Sequence, residues 1–337
     1  MTRVLIVGGA AFLGAHLVET LENDASPIRI TVMDRRPYAG PHADIVDSVI
    51  GDVTVAEDCA RALARGPFDA VVSMVTPNLM RATEHDFERI NIAGVGTLLA
   101  ACREAGVRAF VYISSIAVMD HFCDHVDVDE THALPPLAQY RSPYDRSKRL
   151  GEDAVLAADA KGGLRTCSLR MGGILSSMDD VGLSNVRPPV VVIQRSSRPI
   201  DMIYGGDAAH AIVLAIRALR ERPDEVGGHA FFITKGRSIP SYEFVTWVAQ
   251  RLGYRVFPLS PFARSLLTYG SRTQHRLKRL LGRPVPGVPL HVFLSLTDYT
   301  QTFDNSKAER LLGYAPRHTL EQGLTRIVDA YLARESS

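Results

Sequence analysis

Short apolar runs alternate with helical patterns along the first half of the chain. The runs at 3–7 and 28–33 are rich in β-branched residues, and the segment 12–22 between them carries apolar residues at helical spacing. The same alternation continues through apolar runs at 68–75 and 108–114. Strands and helices alternating at this spacing predict βαβ units, and therefore an α/β fold with a doubly wound parallel sheet.

The pattern becomes less regular beyond Ser115. The acidic, proline-containing stretch 117–140 predicts a long loop. Later helices are predicted at 144–160, 207–219 and 242–252, later strands at 164–170 and 230–233, and loop-rich stretches at 172–206 and 253–303. We therefore predict a sheet-forming domain over 1–173 and a smaller, loop-rich region over 174–337, of which 207–234 packs back on the sheet.

The composition is that of an ordinary globular protein. The 337 residues are 46% hydrophobic and 22% charged, and a net charge of +1 gives no general attraction for nucleic acid. The four cysteines are widely spaced and predict reduced thiols. The N-terminus lacks the features of a signal peptide, and no apolar run approaches the ~18 residues that span a bilayer. These features predict a cytoplasmic protein.

A glycine-rich turn joins the first predicted strand to the first predicted helix. The segment GAAFLG at 9–14 follows G-x-G-x-x-G, except that Ala11 replaces the middle glycine, which normally lets the backbone approach a pyrophosphate. A strand before the turn and a helix after it are the context that a Rossmann phosphate loop requires. Because the helix N-terminus still offers its amides, we predict that a dinucleotide binds here and that Ala11 is tolerated.

Two carboxylates follow at the ends of predicted strands. Asp34 ends the second strand, where a carboxylate accepts hydrogen bonds from the adenosine ribose. This position favours NAD, because a carboxylate repels a 2′-phosphate. Arg35 and Arg36 could counter that repulsion, so NADP stays open. Asp52, which precedes Val53, could meet the adenine amino group.

Tyr144 and Lys148 are four residues apart in a predicted helix and therefore share one face. A phenol with a pKa near ~10 is a poor base at neutral pH, and a neighbouring ammonium lowers that pKa. Ser115 follows a strand of the same sheet, where its hydroxyl can orient a substrate oxygen. Together the three residues predict proton transfer coupled to hydride transfer.

Four segments, in this order along the chain, resemble the extended short-chain dehydrogenase/reductases. They are VGGAAFLG, FERINIAGVGTLLAACREAGVRAFVYISSIAVM, SPYDRSK and FDNSKAERLLGYAP. Within that family LRTCSLRMGGIL, IDMIYGGDAAHAIVLA and GGHAFFITKGRSIPSYEF resemble the 3β-hydroxysteroid dehydrogenase branch, above all the sterol-4α-carboxylate 3-dehydrogenases. The resemblance covers nearly the whole chain.

The resemblance implies roles for the three candidate catalytic residues. Tyr144 would remove the proton from a ring alcohol, Lys148 would tune it and hold the ribose, and Ser115 would bind the same oxygen, while hydride passes to the nicotinamide. A carboxyl group β to the new ketone could leave as carbon dioxide. The expected cofactor is NAD, bound by Gly8, Gly9, Ala11, Phe12, Leu13, Gly14, Asp34, Arg35, Asp52, Val53, Val75, Asn91, Tyr144, Lys148, Met171 and Ile174. In relatives the counterpart of Asn91 supports the active-site strand. Relatives also often dimerise through helices that correspond to 87–105 and 144–160, which implies a homodimer.

The chain departs from its relatives near the substrate. Met171 replaces the family proline, and the segment 174–180 replaces a glycine-proline-glycine turn. The expected substrate is therefore a small hydrophobic cyclic molecule whose identity stays open among sterols, terpenoids and polyketides. One alternative is a nucleotide-sugar epimerase or dehydratase with tightly bound NAD, whose phosphates could be held by Arg187, Arg195 and Arg198. The other is a dinucleotide-sensing scaffold without catalysis.

Two further segments carry distinctive side chains. The segment 264–283 interleaves basic residues and leucines without any acidic residue, as in a basic amphipathic helix that can lie on an anionic membrane surface. The alternative is a solvated lid helix over the substrate cleft. His121, Cys123 and His125 form H-x-C-x-H, but no second cluster completes a metal site, so we predict no metal.

Overall fold

A computed structural model describes residues 2–24, 27–79, 81–178, 190–194, 196–235 and 238–335. A seven-stranded sheet forms its centre, with strands numbered in chain order along the whole chain. These strands are β1 (Thr2–Val7), β2 (Ile28–Asp34), β3 (Asp47–Ile50), β4 (Ala70–Ser73), β5 (Ala109–Ser115), β7 (Arg165–Met171) and β12 (His229–Ile233). They pair in parallel in the order β12-β7-β5-β4-β1-β2-β3, which confirms the predicted doubly wound α/β fold.

Helices cover both faces of this sheet because its central strands are apolar on both sides. All seven residues of β7 are buried. The helices of one face are α1 (Phe12–Glu22), α6 (Gly205–Glu221) and α11 (Ser306–Leu312), and those of the other are α2 (Ala56–Leu63), α4 (Val95–Glu104) and α5 (Pro143–Ala157). Four chain segments thus lie at the same edge of the sheet. They are the ends of β1 and β5 and the starts of α1 and α5.

The predicted helix at 87–105 is helical throughout but not uniform. It begins as α3 (Glu84–Phe87), whose Thr83 and Asp86 form a capping box, continues as a π-helical turn over Glu88–Gly94, and ends as α4. Periodicity alone does not distinguish a π-turn from an α-helix, because one extra residue shifts the register only locally.

The predicted loop at 117–140 contains a strand that the sequence pattern did not indicate. Strand β6 (His125–Val128) lies beside β15 (Gln301–Phe303) at the edge of a four-stranded sheet that also holds β10 (Pro199–Ile200) and β13 (Ile239–Pro240). The prediction of an uninterrupted loop is wrong here because the partner strand lies more than 170 residues away along the chain.

The short helix α7 (Pro223–Val226) follows α6 and places Val226 in the core of the central sheet. The other elements form a smaller unit with its own apolar core. They are β8 (Gly173–Leu175), β9 (Val190–Ile193), β11 (Met202–Tyr204), β14 (Arg255–Pro258), α8 (Ser241–Arg251), α9 (Pro261–Leu280), α10 (Leu290–Ser295) and α12 (Leu320–Glu335). Leu175, Phe244, Val248, Leu324 and Val328 are among the residues that fill this core. Within the described residues, no helix is both long and apolar enough to cross a membrane.

Candidate active site

The glycine turn between β1 and α1 needs glycine at its two ends. Gly8 has φ +86°, and a Cβ there would lie 2.9 Å from the Val75 backbone. A Cβ on Gly14 would lie 2.0 Å from the Gly9 carbonyl oxygen. The turn is therefore tight enough to bring the start of α1 directly against the end of β1, which is the arrangement of a dinucleotide phosphate loop.

Ala11 causes no strain in this turn. It is the N-cap residue of α1 with φ −113° and ψ 176°, an extended conformation that any residue adopts. It has no side-chain oxygen to cap the helix, so no capping side chain competes with an anion for the amides of the first turn. Phe12 is exposed and Leu13 half-buried in that first turn. This geometry fits a bound pyrophosphate.

We expect Ala11→Gly to leave the affinity for NAD unchanged or to increase it slightly. Glycine removes a methyl group that already fits, and at an extended N-cap position it is at least as favourable as alanine. Titration of both proteins with NAD, followed by fluorescence or calorimetry, measures the effect. A strong loss of affinity in the variant would contradict this account of the turn.

Asp34 is fixed beside the glycine turn. One carboxylate oxygen accepts a hydrogen bond from the Ala10 amide at 3.1 Å, and the other accepts one from the Arg36 amide at 3.2 Å. The Arg36 guanidinium in turn lies 3.5 Å from the Ala10 carbonyl oxygen, while Arg35 is exposed. The carboxylate is held at the end of β2, where a ribose would contact it.

Asp52 lies at the next strand end with its charge stabilised. Burial opposes ionisation, but hydrogen bonds from the Thr54 amide and hydroxyl and the nearby Arg89 guanidinium together lower the pKa of Asp52. Val53 is buried beside it. A carboxylate kept ionised at this edge can accept a hydrogen bond from an adenine amino group.

Tyr144 lies in the first turn of α5, and the residues that fix the start of this helix place Tyr144 beside Ser115. Ser142 caps the helix by accepting a hydrogen bond from the Asp145 amide at 3.4 Å, and Pro143 occupies the first turn. The Tyr144 ring packs edge-on against Phe87, with centroids 5.6 Å apart. Burial raises the pKa of Tyr144 to about 12, although the hydrogen bond with Ser115 acts in the opposite direction. The lowering of this pKa expected from the Lys148 ammonium is not found, because burial dominates.

Lys148 lies one turn further along α5 and is buried. Its ammonium donates a hydrogen bond to the Ile113 carbonyl oxygen at 2.9 Å and lies 5.0 Å from the centre of the Tyr112 ring. Burial lowers the pKa of Lys148 to about 8, and the nearby Glu152 carboxylate partly offsets that effect. Ser115 and Tyr144 thus share a hydrogen bond at the carboxyl end of β5, and the Lys148 ammonium binds the backbone of the same strand at Ile113.

We expect Lys148→Met to stabilise the fold while it removes activity. The pKa of Lys148 falls from 10.5 to about 8 on folding, so the unfolded chain binds more protons between these pH values. The charged form therefore costs about 3 kcal/mol below pH 8, offset by about 2 kcal/mol for the charge-assisted hydrogen bond to Ile113. The variant should gain about 1 kcal/mol in unfolding free energy at pH 7, measured by urea denaturation.

The pH dependence provides the control for this prediction. The wild type should recover stability as the pH rises from 8 towards 10.5, so its difference from Lys148→Met should narrow over that range. A variant that is less stable than the wild type at pH 7 would contradict the argument.

A buried ion pair beneath Lys148 was not predicted from the sequence. Glu152 accepts hydrogen bonds from the Arg170 guanidinium at 2.7 and 3.0 Å and from the Ser168 hydroxyl at 2.8 Å. Glu152 is fully buried, and the Arg170 guanidinium also lies over the Phe232 ring. The available signal was the spacing of four residues from Lys148, which places Glu152 on the same helix face.

Asn91 contacts the helix that carries Tyr144, whereas the resemblance implies that it supports the active-site strand. It is fully buried in the π-helical turn, and its amide donates to the Ser147 hydroxyl at 2.9 Å. That hydroxyl donates to the Tyr144 carbonyl oxygen at 2.8 Å. A Cβ on Gly151 would lie 2.5 Å from the Asn91 carbonyl oxygen, so the two helices pack closely here.

Met171 ends β7 in register with Ser115 on one side and with Ile233 on the other. Its side chain is buried within the core, and Ile174 follows in β8, paired with Ile203. The segment 174–180 replaces the glycine-proline-glycine turn of relatives, and two of its residues, Asp179 and Asp180, lie outside the described residues.

The three H-x-C-x-H residues do not share one site, because Cys123 and His125 contact each other while His121 pairs elsewhere. His121 pairs with the buried Asp145 carboxylate at 3.2 Å, which outweighs burial and raises the pKa of His121. His125 contacts the Asp120 carbonyl oxygen at 3.0 Å and the Cys123 sulfur at 3.3 Å. Within the part of the chain that the structure describes, no group of three or more His, Cys, Asp or Glu residues could hold a metal ion.

The phosphate-binding turn and the proton-transfer group lie at one edge of the sheet. This arrangement is typical of dinucleotide-dependent short-chain dehydrogenase/reductases, here of the extended type. Within that class the chain belongs to the 3-beta hydroxysteroid dehydrogenase/isomerase family, whose sequence model matches residues 5–262. This confirms the resemblance inferred from the motifs, and membership of a dehydrogenase family confirms that the chain is an enzyme.

Three similar proteins illustrate the relationship. The chain is 31% identical to a 3 beta-hydroxysteroid dehydrogenase/Delta 5-->4-isomerase of Mycobacterium tuberculosis, over 98% of this chain and 90% of that protein. It is 28% identical to the decarboxylating sterol-4-alpha-carboxylate 3-dehydrogenase of Candida albicans, over 98% and 97% of the two chains. Among solved structures, MoeE5 in complex with UDP-glucose and NAD has the same fold, with a TM-score of 0.72, 22% identity and coverage of 99% and 100%.

Proposed function

We propose that this chain is an NAD-dependent oxidoreductase that oxidises or reduces a secondary alcohol or ketone on a sterol-like substrate. The observation that carries the proposal is the meeting of Ser115, Tyr144 and Lys148 at the same sheet edge as the glycine turn. The curated relatives over nearly the whole chain are named hydroxysteroid and sterol carboxylate dehydrogenases, which supports a sterol-like substrate.

The proposed chemistry follows from the three side chains. The Tyr144 hydroxyl takes the proton of the substrate alcohol, and Ser115 donates a hydrogen bond that orients the reacting oxygen. Lys148 lies one helical turn away, and its positive charge would act against the burial that raises the pKa of Tyr144 to about 12. The nicotinamide supplies or accepts the hydride when it is bound. A substrate with a carboxyl group β to the new ketone would then lose carbon dioxide.

The cofactor preference rests on Asp34. Its carboxylate is fixed by the Ala10 and Arg36 amides at the position of a ribose, and a second negative charge there would repel a 2′-phosphate. Arg35 is exposed and Arg36 points to the turn, so neither arginine neutralises the carboxylate through an ion pair within the described residues. This supports NAD over NADP.

The sequence leaves two other functions open. A nucleotide-sugar epimerase would need cations for two phosphates, but Arg187 and Arg195 lie outside the described residues, and Arg198 lies 3.9 Å from Asp124. The fold is shared with such enzymes and does not separate them. A non-catalytic scaffold is disfavoured because Tyr144 and Lys148 are both in place.

We also propose that 1–173 forms the dinucleotide-binding domain and 174–337 the substrate-binding region. The helices that would form a homodimer interface, by analogy with relatives, are α4 and α5 with the π-turn before α4. The segment 264–283 is proposed to contact a membrane surface peripherally, which suits a lipid-soluble substrate.

The decisive experiment is a direct assay of NAD reduction. Purified protein would be incubated with NAD or NADP and with 3β-hydroxysterols that do or do not carry a 4α-carboxyl group. We expect stoichiometric formation of NADH and ketone, and release of carbon dioxide only from the carboxylated substrate. NAD that remains tightly bound and unchanged in amount, with interconversion of a sugar nucleotide, would instead identify an epimerase.

A further inference from the structure

Helix α9 (Pro261–Leu280) turns its apolar side away from the protein. None of its 20 residues is buried. Phe262, Tyr269 and Leu280 are 80%, 72% and 84% exposed, and Leu266 and Leu277 are 62% and 55% exposed. The spacing of these five residues places them along one side of the helix. We call these five residues the outer apolar stripe.

The opposite side of α9 is polar and faces the chain. The Arg264 guanidinium donates to the two carboxylate oxygens of Asp298 at 2.7 and 2.5 Å. The Ser271 hydroxyl lies 3.1 Å from His291 Nδ1, and the His275 and His291 rings stack edge-on with centroids 5.8 Å apart. These contacts fix the rotation of the helix with its apolar stripe outward, whereas a globular helix normally buries that side.

Positive charges border the outer apolar stripe. Arg272, Arg276, Arg279 and Arg283 are exposed, and none of them forms an ion pair with a carboxylate among the described residues. The sequence contains no acidic residue between 261 and 297. An exposed apolar stripe of this length marks an interaction surface, and the positive charge beside it favours a negatively charged partner.

We propose that the outer face of α9 docks on an anionic lipid bilayer. The outer apolar stripe would enter the boundary between headgroups and acyl chains, while the bordering arginines contact lipid phosphates and keep their charge at the surface. The purpose of the docking, which is access to a lipid-soluble substrate, rests on the proposed function. The docking itself is argued from the geometry and charge of α9 alone.

A second copy of the chain fits this face less well. Pairing two outer faces would bring the four arginines of each copy together without any acidic residue of α9 to offset them. Like charges brought together at an interface are unfavourable, whereas an anionic bilayer gains about 1 kcal/mol for each basic residue near its surface. The charge therefore favours lipid over a copy of this chain.

The test is co-sedimentation of the full chain with vesicles. The vesicles are phosphatidylcholine alone or phosphatidylcholine mixed with phosphatidylglycerol. We expect binding to the mixed vesicles and little to the neutral ones. Combined Arg272→Gln, Arg276→Gln and Arg279→Gln should weaken binding on the order of 100-fold. Combined Leu266→Ser, Leu277→Ser and Leu280→Ser should weaken it at least as much.

Matched controls use exposed positions on other elements. Leu332→Ser on α12 and Arg65→Gln after α2 should bind the mixed vesicles as the wild type does. All variants change exposed side chains, so near-native unfolding curves are expected. Tyr144→Phe should also bind as the wild type does, so loss of turnover in that variant leaves the docking proposal untouched.

Three results would overturn the docking proposal. The first is equal binding to neutral and anionic vesicles, or binding to neither. The second is a dimeric wild type that the leucine variant converts to monomers, which would make the face a subunit interface. The third is a raised KM of the leucine variant for a water-soluble substrate without vesicles, which would make α9 a lid over the cleft.

Discussion

Tyr144→Phe should lower kcat by about 10²- to 10⁴-fold, the contribution typical of a positioned general acid or base. The variant keeps the ring that packs against Phe87 and removes only the hydroxyl that shares a hydrogen bond with Ser115. The glycine turn and Asp34 are unchanged, so NAD should bind with nearly wild-type affinity. Steady-state NADH formation and an equilibrium titration with NAD measure the two quantities separately.

A suitable control is Tyr269→Phe, which removes the same hydroxyl group from an exposed position on α9. It should leave turnover of a water-soluble substrate unchanged. Full activity of Tyr144→Phe would show that this phenol does not transfer the proton. Loss of both turnover and NAD binding would instead point to a disturbed fold at the start of α5.

The local parts of the site were predictable from the sequence. Tyr144 and Lys148 are joined by helical spacing, and Ser115 follows a strand whose end must lie at the same sheet edge. The relative position of Tyr144 and Lys148 depends on a single helix. The position of Ser115 follows from the rule that the carboxyl ends of parallel strands lie at the same edge of a sheet. The glycine turn was predictable for the same reason, and its extended N-cap explains why Ala11 fits.

The parts that depend on distant packing were not predictable. Helical periodicity shows that α9 has an apolar and a polar side, but not which one faces the protein, and the contact of Arg264 with Asp298 decides that. The partner of β6 lies in the C-terminal part of the chain. The π-turn around Asn91 likewise packs closely against Gly151 of α5, which lies 60 residues further along the chain.

The buried ion pair of Glu152 and Arg170 is the clearest example of a feature that the sequence does not predict. It also gives the second prediction with a large expected effect. We expect Glu152→Gln to lower the free energy of unfolding by about 3–5 kcal/mol, because it leaves a buried guanidinium without its counter-charge. The volume of the side chain hardly changes, so packing does not account for the loss. Urea denaturation of the two proteins at one pH measures it.

The next residue of the same helix provides the matched control. Asp153 pairs with Arg149 at 2.9 Å, but this pair is partly exposed to solvent. Asp153→Asn should therefore cost less than about 1 kcal/mol, because water screens the charge that it leaves behind. Equal losses of unfolding free energy in the two variants would contradict the argument that burial makes the loss of the Glu152 charge costly.

The same substitution should also change the chemistry through Lys148. Glu152 is the carboxylate that partly offsets the lowering of the Lys148 pKa by burial, so its removal should lower that pKa further. The ammonium would then lose its proton at lower pH than in the wild type. The alkaline limb of the activity profile should move to lower pH in Glu152→Gln but stay in place in Asp153→Asn, a difference that loss of stability alone does not produce.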